Sequence, residues 1–212
     1  MGRSRGMKRS LPAGLLMMVM VFISIRAGAA AREEALQQLE RLGIPVSEES
    51  LEKQVSLGNL RNVRLLLDAG MSPNSRCASD RYPILSYAAL NGKEDIVRLL
   101  VERGADVNAE GPRSKMGGTP ILFAVGGGNL NILRFLISKG ADVNRPTVGN
   151  ATPLMAAVTA DNAAAVKMLL AAGADPLART VKGDTALDIA KRKGQAEIAR
   201  ILEEAVRNRG GR

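Results

Sequence analysis

Runs of leucine, isoleucine and valine are the most regular feature of the hydrophobic pattern along the chain. In residues 96–101 the apolar side chains stand at i, i+1, i+3, i+4 and i+5, and residues 132–137 repeat that arrangement. A helix with so wide an apolar stripe has to be covered on more than one side. The pattern therefore predicts helices that lie between neighbouring helices of the same kind.

Two series of glycines divide this pattern into units of about 33 residues. One series follows each apolar helix, at spacings of 34, 36 and 33 residues: Gly70, Gly104, Gly140 and Gly173. The other lies in the middle of each unit, with an aspartate in the fourth: Gly58, Gly92, Gly128, Asp161 and Gly194. Glycine readily adopts the left-handed conformation that ends a helix. We therefore expect each unit to contain two helices, each closed by one of these positions.

The first helix of each unit has its own start signal. Thr119-Pro120, Thr152-Pro153 and Thr185-Ala186 combine a threonine, whose oxygen can accept a hydrogen bond from a free backbone N–H, with a residue suited to the first turn. In the unit that contains Tyr82-Pro83 the proline comes one position early, which leaves the start of that helix open.

These units resemble ankyrin repeats. The resemblance is carried by Thr-Pro-Leu-x-x-Ala at 152–157, by Gly-Ala-Asp-Val-Asn at 104–108 and 140–144, and by Gly-Asp-Thr-Ala-Leu-Asp-Ile-Ala at 183–190. It implies an all-α solenoid of stacked helix–turn–helix units joined by hairpin loops. We assign residues 47–206 to this domain (four units and a C-terminal cap), 30–46 to an N-terminal capping helix and 207–212 to a basic flexible tail.

The first residues of the chain look like an export signal. Four basic residues before position 10 precede an apolar stretch at 11–25, and all five residues at 27–31 are small. These are the three parts of a secretory signal. We predict a signal peptide at 1–29, with cleavage as late as 31, and hence a periplasmic or secreted protein of the exported bacterial ankyrin type. The alternative is an uncleaved signal that anchors the chain in the membrane, facing the periplasm. Contact with the membrane is expected only in that case.

Composition narrows the possible functions. Among 212 residues there are no histidines or tryptophans, one cysteine and five phenylalanines and tyrosines, which excludes histidine-based catalysis and gives no aromatic platform for nucleic acid. The formal net charge is +9, and the predicted signal accounts for about five of those charges. Glu33-Glu34, Glu48-Glu49 and Glu203-Glu204 are interpreted as solvated charges. We therefore predict no enzyme, no catalytic, cofactor-binding or metal-binding residue, no nucleic acid and no small-molecule substrate.

Basic residues remain concentrated in the hairpin loops 74–82, 108–118, 144–151 and 177–184, and the second of these is the longest. Asp and Asn in these loops, as in 106–108, are expected to bond their own backbone rather than calcium. The family resemblance implies that partners bind the hairpin tips and the exposed face of the first helices. We predict a protein partner with an acidic patch; the alternative is an anionic lipid head group or cell-wall polymer. The predicted binding residues are Arg76, Arg81, Leu90, Asn91, Arg113, Lys115, Met116, Arg145, Thr159, Arg179 and Lys182.

Overall fold

The computed structural model describes residues 13–112 and 118–210. Within these ranges the chain forms eleven α-helices and no strand. They are α1 (Ala13–Arg41), α2 (Glu48–Leu57), α3 (Leu60–Asp68), α4 (Ile84–Leu90), α5 (Glu94–Glu102), α6 (Pro120–Gly126), α7 (Leu130–Ser138), α8 (Pro153–Thr159), α9 (Ala163–Ala171), α10 (Ala186–Arg192) and α11 (Ala196–Gly210).

The helices stack in two rows. The first helices of the units, α2, α4, α6, α8 and α10, contact one another in order, and α1, α3, α5, α7, α9 and α11 form the second row. Each first helix also contacts the second helix of its own unit. This is the predicted all-α stack of helix–turn–helix units, and that prediction is confirmed.

The glycine series take the backbone conformation that the spacing predicts. The mid-unit positions have φ between 66° and 72° at the four glycines, and Asp161 adopts the same left-handed region with a φ of 55°. The glycines that follow the second helices have φ between 84° and 105°. A left-handed residue therefore closes both helices of each unit.

The wide apolar stripes lie in the core between neighbouring units. Ile96, Val97, Leu99 and Leu100 of α5 are buried, and so are Ile132, Leu133 and Leu136 of α7. The start of α4, left open by the sequence, lies at Ile84, because Pro83 takes the N-cap position. The early proline thus shifts the capping residue without displacing the helix from the row.

Long helices lie at both ends of the array. Helix α1 runs without a break through positions 29 and 31, and its buried residues Ala35 and Leu39 belong to the part that contacts α3. At the other end, α11 continues to Gly210, so the predicted flexible tail is helical as far as that residue. In this part of the helix Arg209 pairs with Asp175. None of the helices in the described ranges is both long and apolar enough to cross a membrane.

Two adjacent glycines at the end of α6 have different roles. A Cβ atom on Gly127 would lie 2.4 Å from the carbonyl oxygen of Leu90, whereas one on Gly126 would meet nothing within 4 Å. The side-chain amide of Asn129 also donates to the carbonyl oxygen of Ala89, at 2.8 Å. Gly127 therefore permits the close approach of α4 and α6, and Gly126 opens onto solvent.

This contrast yields a prediction. Gly127→Ala should lower the free energy of unfolding by about 1–3 kcal/mol, because the added methyl group forces α4 away from α6. Gly126→Ala should leave it unchanged or raise it by up to ~1 kcal/mol, because alanine favours the helix. Urea denaturation of both variants measures the difference, and equal stabilities would show that the α4–α6 contact does not need a glycine.

Candidate protein-binding surface

We call the exposed residues of the hairpin loops and of the first helices, taken together, the tip face. Leu90 and Asn91 at the end of α4 are exposed, Leu90 to 41%, and Thr159 at the end of α8 is exposed as well. Three predicted binding residues in the second hairpin, Arg113, Lys115 and Met116, lie outside the described residues. The tip face thus includes the predicted residues of three hairpins and those at the ends of two first helices, which adjoin the mid-unit turns.

Several predicted basic residues are engaged within the protein. Arg81 pairs with Glu48 of α2 at 2.8 Å, and Arg145 bonds to Glu110 of the preceding hairpin, with its Nε 2.6 Å from the carboxylate. Arg76 donates to two carbonyl oxygens, those of Arg81 and Glu110, at 2.9 and 3.2 Å. Apart from the bond between Arg76 and Arg81, which lies within one hairpin, these contacts join residues 33–35 positions apart and so connect neighbouring units. Three of the predicted binding arginines therefore also hold the hairpins in position.

Two of the carboxylate pairs interpreted as solvated charges each contain one member that forms a surface ion pair. Glu48 carries the Arg81 contact just described, and Glu203 lies 2.8 Å from Lys191, which lowers its pKa through the hydrogen bond and the positive charge. Glu52, one helical turn beyond Glu48, accepts hydrogen bonds from the backbone N–H groups of Ala78 and Ser79. The first hairpin is thus fixed to α2 by acidic side chains.

The fourth hairpin carries a more accessible positive charge. Arg179 donates to the carbonyl oxygen of Gly183 at 2.7 Å and remains exposed, and Lys182 is exposed with no ion pair among the described residues. The neighbouring acid, Asp184, pairs with Arg192 instead. Two aliphatic side chains, which sequence reasoning missed, stand beside these charges on the third and fourth hairpins: Val148 is 51% exposed and Val181 is 73% exposed.

A ladder of asparagines joins consecutive hairpins. Asn108 donates its side-chain amide to the carbonyl oxygen of Gly140 and accepts from the N–H of Asp142, at 3.2 and 2.8 Å. Asn74 and Asn144 make the same pair of bonds to the following unit. The prediction that these side chains bond their own backbone holds for the aspartates: the carboxylate of Asp106 accepts a hydrogen bond from the backbone N–H of Asn108. The asparagines bond the next unit rather than their own backbone, and together they fix the spacing of the hairpins.

The base of the long second hairpin is closed by backbone and aromatic contacts. The N–H of Gly111 donates to the carbonyl oxygen of Gly118 at 2.9 Å. The ring of Tyr82 lies against Gly111, where a Cβ atom would come within 2.2 Å of it, and meets Phe123 edge to face at 5.0 Å between centroids. The first hairpin, the second hairpin and α6 are therefore joined at this point.

Cys77 lies in the first hairpin and is fully buried. Burial, with further contributions from Glu52 and Asp80, raises the pKa of its thiol to about 12. The thiolate is the nucleophilic form of cysteine, so this thiol is unreactive at neutral pH. Its role in the hairpin is to fill space.

The raised pKa of Cys77 predicts a loss of stability in alkali. The unfolded thiol releases its proton near its ordinary pKa of 9.0 while the folded thiol keeps it, so the free energy of unfolding falls as pH rises from about 9 towards 12. Cys77→Ala should show a shallower fall. Thermal unfolding of both proteins from pH 8 to 10.5 measures how the stability of each depends on pH. If the two stabilities fell in parallel, the alkaline loss would not come from the thiol of Cys77.

No group of three or more potential metal-ligating side chains occurs in the part of the chain that the structure describes. The lowered pKa of Asp188 arises first from the backbone N–H of Thr185 and then from its hydroxyl, in a capping box at the start of α10. That carboxylate thus serves the helix terminus.

Comparison with known proteins agrees with the architecture. A family model described as ankyrin repeats (3 copies) matches residues 51–147, 110–180 and 145–208. Serine/threonine-protein kinase 12 of Arabidopsis thaliana is 35% identical over 68 residues, which are 32% of this chain and 14% of the kinase. Palmitoyltransferase Hip14 of Drosophila melanogaster is 33% identical over 78 residues, which are 37% of this chain and 12% of that protein. The similarity therefore spans only a small part of either relative.

Proposed function

Because the chain belongs to the ankyrin-repeat family, whose repeats mediate protein–protein interaction, we propose that it binds a protein partner noncovalently through its tip face. The observation that carries this proposal is the combination of rigid hairpins with exposed aliphatic and basic side chains. Glu52, Arg81 and the asparagine ladder hold the hairpins in a fixed array. Val181 and Lys182 then stand exposed at the end of the fourth hairpin. Fixed contact groups lower the entropic cost of binding.

The partner is expected to present an acidic patch. Arg179 and Lys182 form the accessible part of the positive charge, whereas Arg81 and Arg145 are partly neutralised by Glu48 and Glu110. Charge complementarity at such a rim speeds association and selects among partners. The acidic patch should therefore face the fourth hairpin.

We also propose that the array works after export, in the periplasm or outside the cell. The support is the sequence of residues 1–31, with its basic start, apolar stretch and small residues. Arg32 donates to the carbonyl oxygen of Ala69 at 3.1 Å, so cleavage after 29 or 31 would retain this contact with the array. The mass of the protein recovered from cell fractions tests the proposal. Loss of residues 1–29 or 1–31 is expected, and the full mass in the cytoplasmic fraction would contradict it.

Photo-crosslinking in cells tests the binding function. A photoreactive amino acid at Leu90 or Val181 should give protein adducts, because both positions are exposed on the tip face. The same amino acid at Arg64 of α3 or Arg134 of α7, both exposed on second helices, serves as the control and should give few adducts. Adducts from the control positions alone would overturn the proposal. The proposal would also be overturned if the chain sediments with anionic vesicles and gives no protein adducts.

A further inference from the structure

One basic residue recurs at the same position of five second helices, and we call this set the basic row. Its members are exposed and are spaced 34, 36, 33 and 33 residues apart: Arg64, Arg98, Arg134, Lys167 and Arg200. The guanidinium of Arg98 lies 4.6 Å from the centre of the Phe135 ring on the next second helix, α7. In the same way the ammonium group of Lys167 lies 3.2 Å from the carboxylate of Glu197 in α11. A residue of the basic row is therefore placed to contact the next helix along the stack.

Arg200, the last member of the basic row, lies on α11, and no helix follows α11 among the described residues. Glu204 and Arg207 are exposed on the same side of that helix, because residues four and seven positions apart share a helical face. None of these three side chains forms a hydrogen bond or an ion pair within the described ranges. The exposed side of α11 therefore presents two arginines and, between them, one glutamate, all without partners.

The outer side of α1 carries the opposite charges at the same spacing. Ala35 and Leu39 are buried in the part of α1 that contacts α3, and Gln37 lies opposite both because two residues turn a helix by ~200°. Glu33, Gln37 and Glu40 are exposed on this outer side, and none of their side chains has a hydrogen bond or an ion pair in the part of the chain that the structure describes. They line a groove of about 530 Å³, which we call the α1 groove, together with the mostly apolar residues Leu36, Leu39, Gly43, Ile44, Pro45 and Val46. The α1 groove thus combines an apolar floor with two unpaired carboxylates.

The two exposed triplets match in spacing and in charge. Both have members at i, i+4 and i+7, so two parallel helices lying side by side bring each glutamate of α1 opposite an arginine of α11. The facing pairs are Glu33 with Arg200, Gln37 with Glu204 and Glu40 with Arg207. Parallel packing is the arrangement of successive second helices in a repeat array, because every unit has the same internal order. In the middle pair the amide of the glutamine would donate to the carboxylate.

We propose that α11 of one copy docks in the α1 groove of a second copy, so that chains stack head to tail. A second copy is the occupant because the chain itself carries the matching charges at its other end. Junctions of like ends are disfavoured, since α1 against α1 would bring glutamates together and α11 against α11 would bring arginines together. The six facing residues lie outside the tip face, so this contact is separate from partner binding. A head-to-tail contact does not close on itself, and it therefore builds stacks that lengthen with concentration.

The contact between copies is expected to be weak and sensitive to salt. Exposed ion pairs each contribute little, and they are screened as the ionic strength rises. In sedimentation velocity the mean mass of the full chain should increase with concentration in about 20 mM NaCl. In about 300 mM NaCl most of the protein should sediment as single chains. Single chains at every concentration and at both salt levels would overturn the proposal.

Charge reversal at the two ends gives the sharpest comparison. Arg200→Glu combined with Arg207→Glu, and Glu33→Lys combined with Glu40→Lys, should each weaken self-association by about tenfold or more. An equimolar mixture of the two double variants should restore it, because the junctions in the mixture join glutamate to lysine and arginine to glutamate. The melting temperatures should stay near that of the parent, since none of the four side chains is paired within the described chain. A mixture that remains as single chains overturns the proposal, and so does undiminished association of either double variant alone.

Arg64→Glu combined with Arg134→Glu is the matched control. Both arginines are exposed members of the basic row, but they lie inside the array, on α3 and α7. The control changes the net charge by as much as the reversal of Arg200 and Arg207 and should leave self-association nearly unchanged. An equal loss in the control would assign the effect to net charge and overturn the proposal.

A photoreactive amino acid at Gln37 identifies what occupies the α1 groove. The expected adduct joins this position to a peptide of α11, and a mixture of isotope-labelled and unlabelled chains shows that the two peptides come from different copies. Adducts with a different protein in place of α11 would assign the groove to a partner and overturn the proposal. Failure of the proposed function is seen separately, as the absence of protein adducts from crosslinkers at Leu90 and Val181.

Discussion

Leu100→Ala should lower the free energy of unfolding by about 2–5 kcal/mol, the range for removing most of a buried leucine side chain. Leu100 is fully buried in α5, and this helix contacts α3 on one side and α7 on the other. The cavity would thus weaken the contacts on both sides of one unit. Loss of these contacts is especially damaging in a repeat array, because each unit is stabilised mainly by its neighbours.

Leu90→Ala is the matched control for that measurement. Leu90 is also a leucine in a helix, but it is 41% exposed on the tip face. Its removal should change the free energy of unfolding by no more than about 0.5 kcal/mol. Urea denaturation of both variants checks the pair. A loss below ~1 kcal/mol for Leu100→Ala would mean that the stack of units does not depend on the α5 stripe.

Reversing the accessible charges of the fourth hairpin should have the largest effect on binding. Arg179→Glu combined with Lys182→Glu is expected to weaken the affinity for the crosslinked partner more than tenfold and to reduce its dependence on salt, because attraction to an acidic patch becomes repulsion. The melting temperature should change little, since the only bond given up in the described structure is the exposed one from Arg179 to Gly183.

Arg61→Glu combined with Arg64→Glu is the control for charge alone. Both arginines are exposed on α3, a second helix. The control changes the net charge by the same amount and should leave the affinity within about twofold of the parent, because neither position lies on the tip face. Isothermal titration with the purified partner gives both affinities. An equal loss in the two double variants would assign the effect to net charge rather than to the fourth hairpin.

Arg76 is a poor choice for such a reversal. It was predicted to contact the partner, yet it donates to the carbonyl oxygens of Arg81 and Glu110 and joins the first two hairpins. A glutamate at this position would place its negative charge beside two carbonyl oxygens. Lost binding in that variant would therefore reflect displaced hairpins as well as altered charge.

The repeat architecture was predictable because its determinants are local in sequence. A left-handed residue after each helix and a wide apolar stripe within it repeat at almost constant spacing, as at Gly92 and Gly104 around α5. Each unit thus carries the signals for its own two helices. Even Asp161, the one departure in the mid-unit series, takes the predicted backbone conformation.

The contacts between hairpins were not predictable in the same way. The pairing of Arg81 with Glu48, and the bonds from Asn108 to Gly140 and Asp142, depend on how far one unit is rotated and shifted against the next. No short-range pattern encodes that displacement. Thr119 has a buried hydroxyl with no hydrogen-bond partner among the described residues, and this was hidden for a related reason, because its sequence context matches that of Thr152, which caps its helix.

Amide hydrogen exchange on the chain with and without its crosslinked partner tests the tip-face account most directly. The account predicts slower exchange on binding at 147–150 and 180–183 in the third and fourth hairpins. It predicts no change at exposed positions of the second helices α3 and α7. Slowing confined to α3 and α7, with the hairpins unaffected, would contradict it.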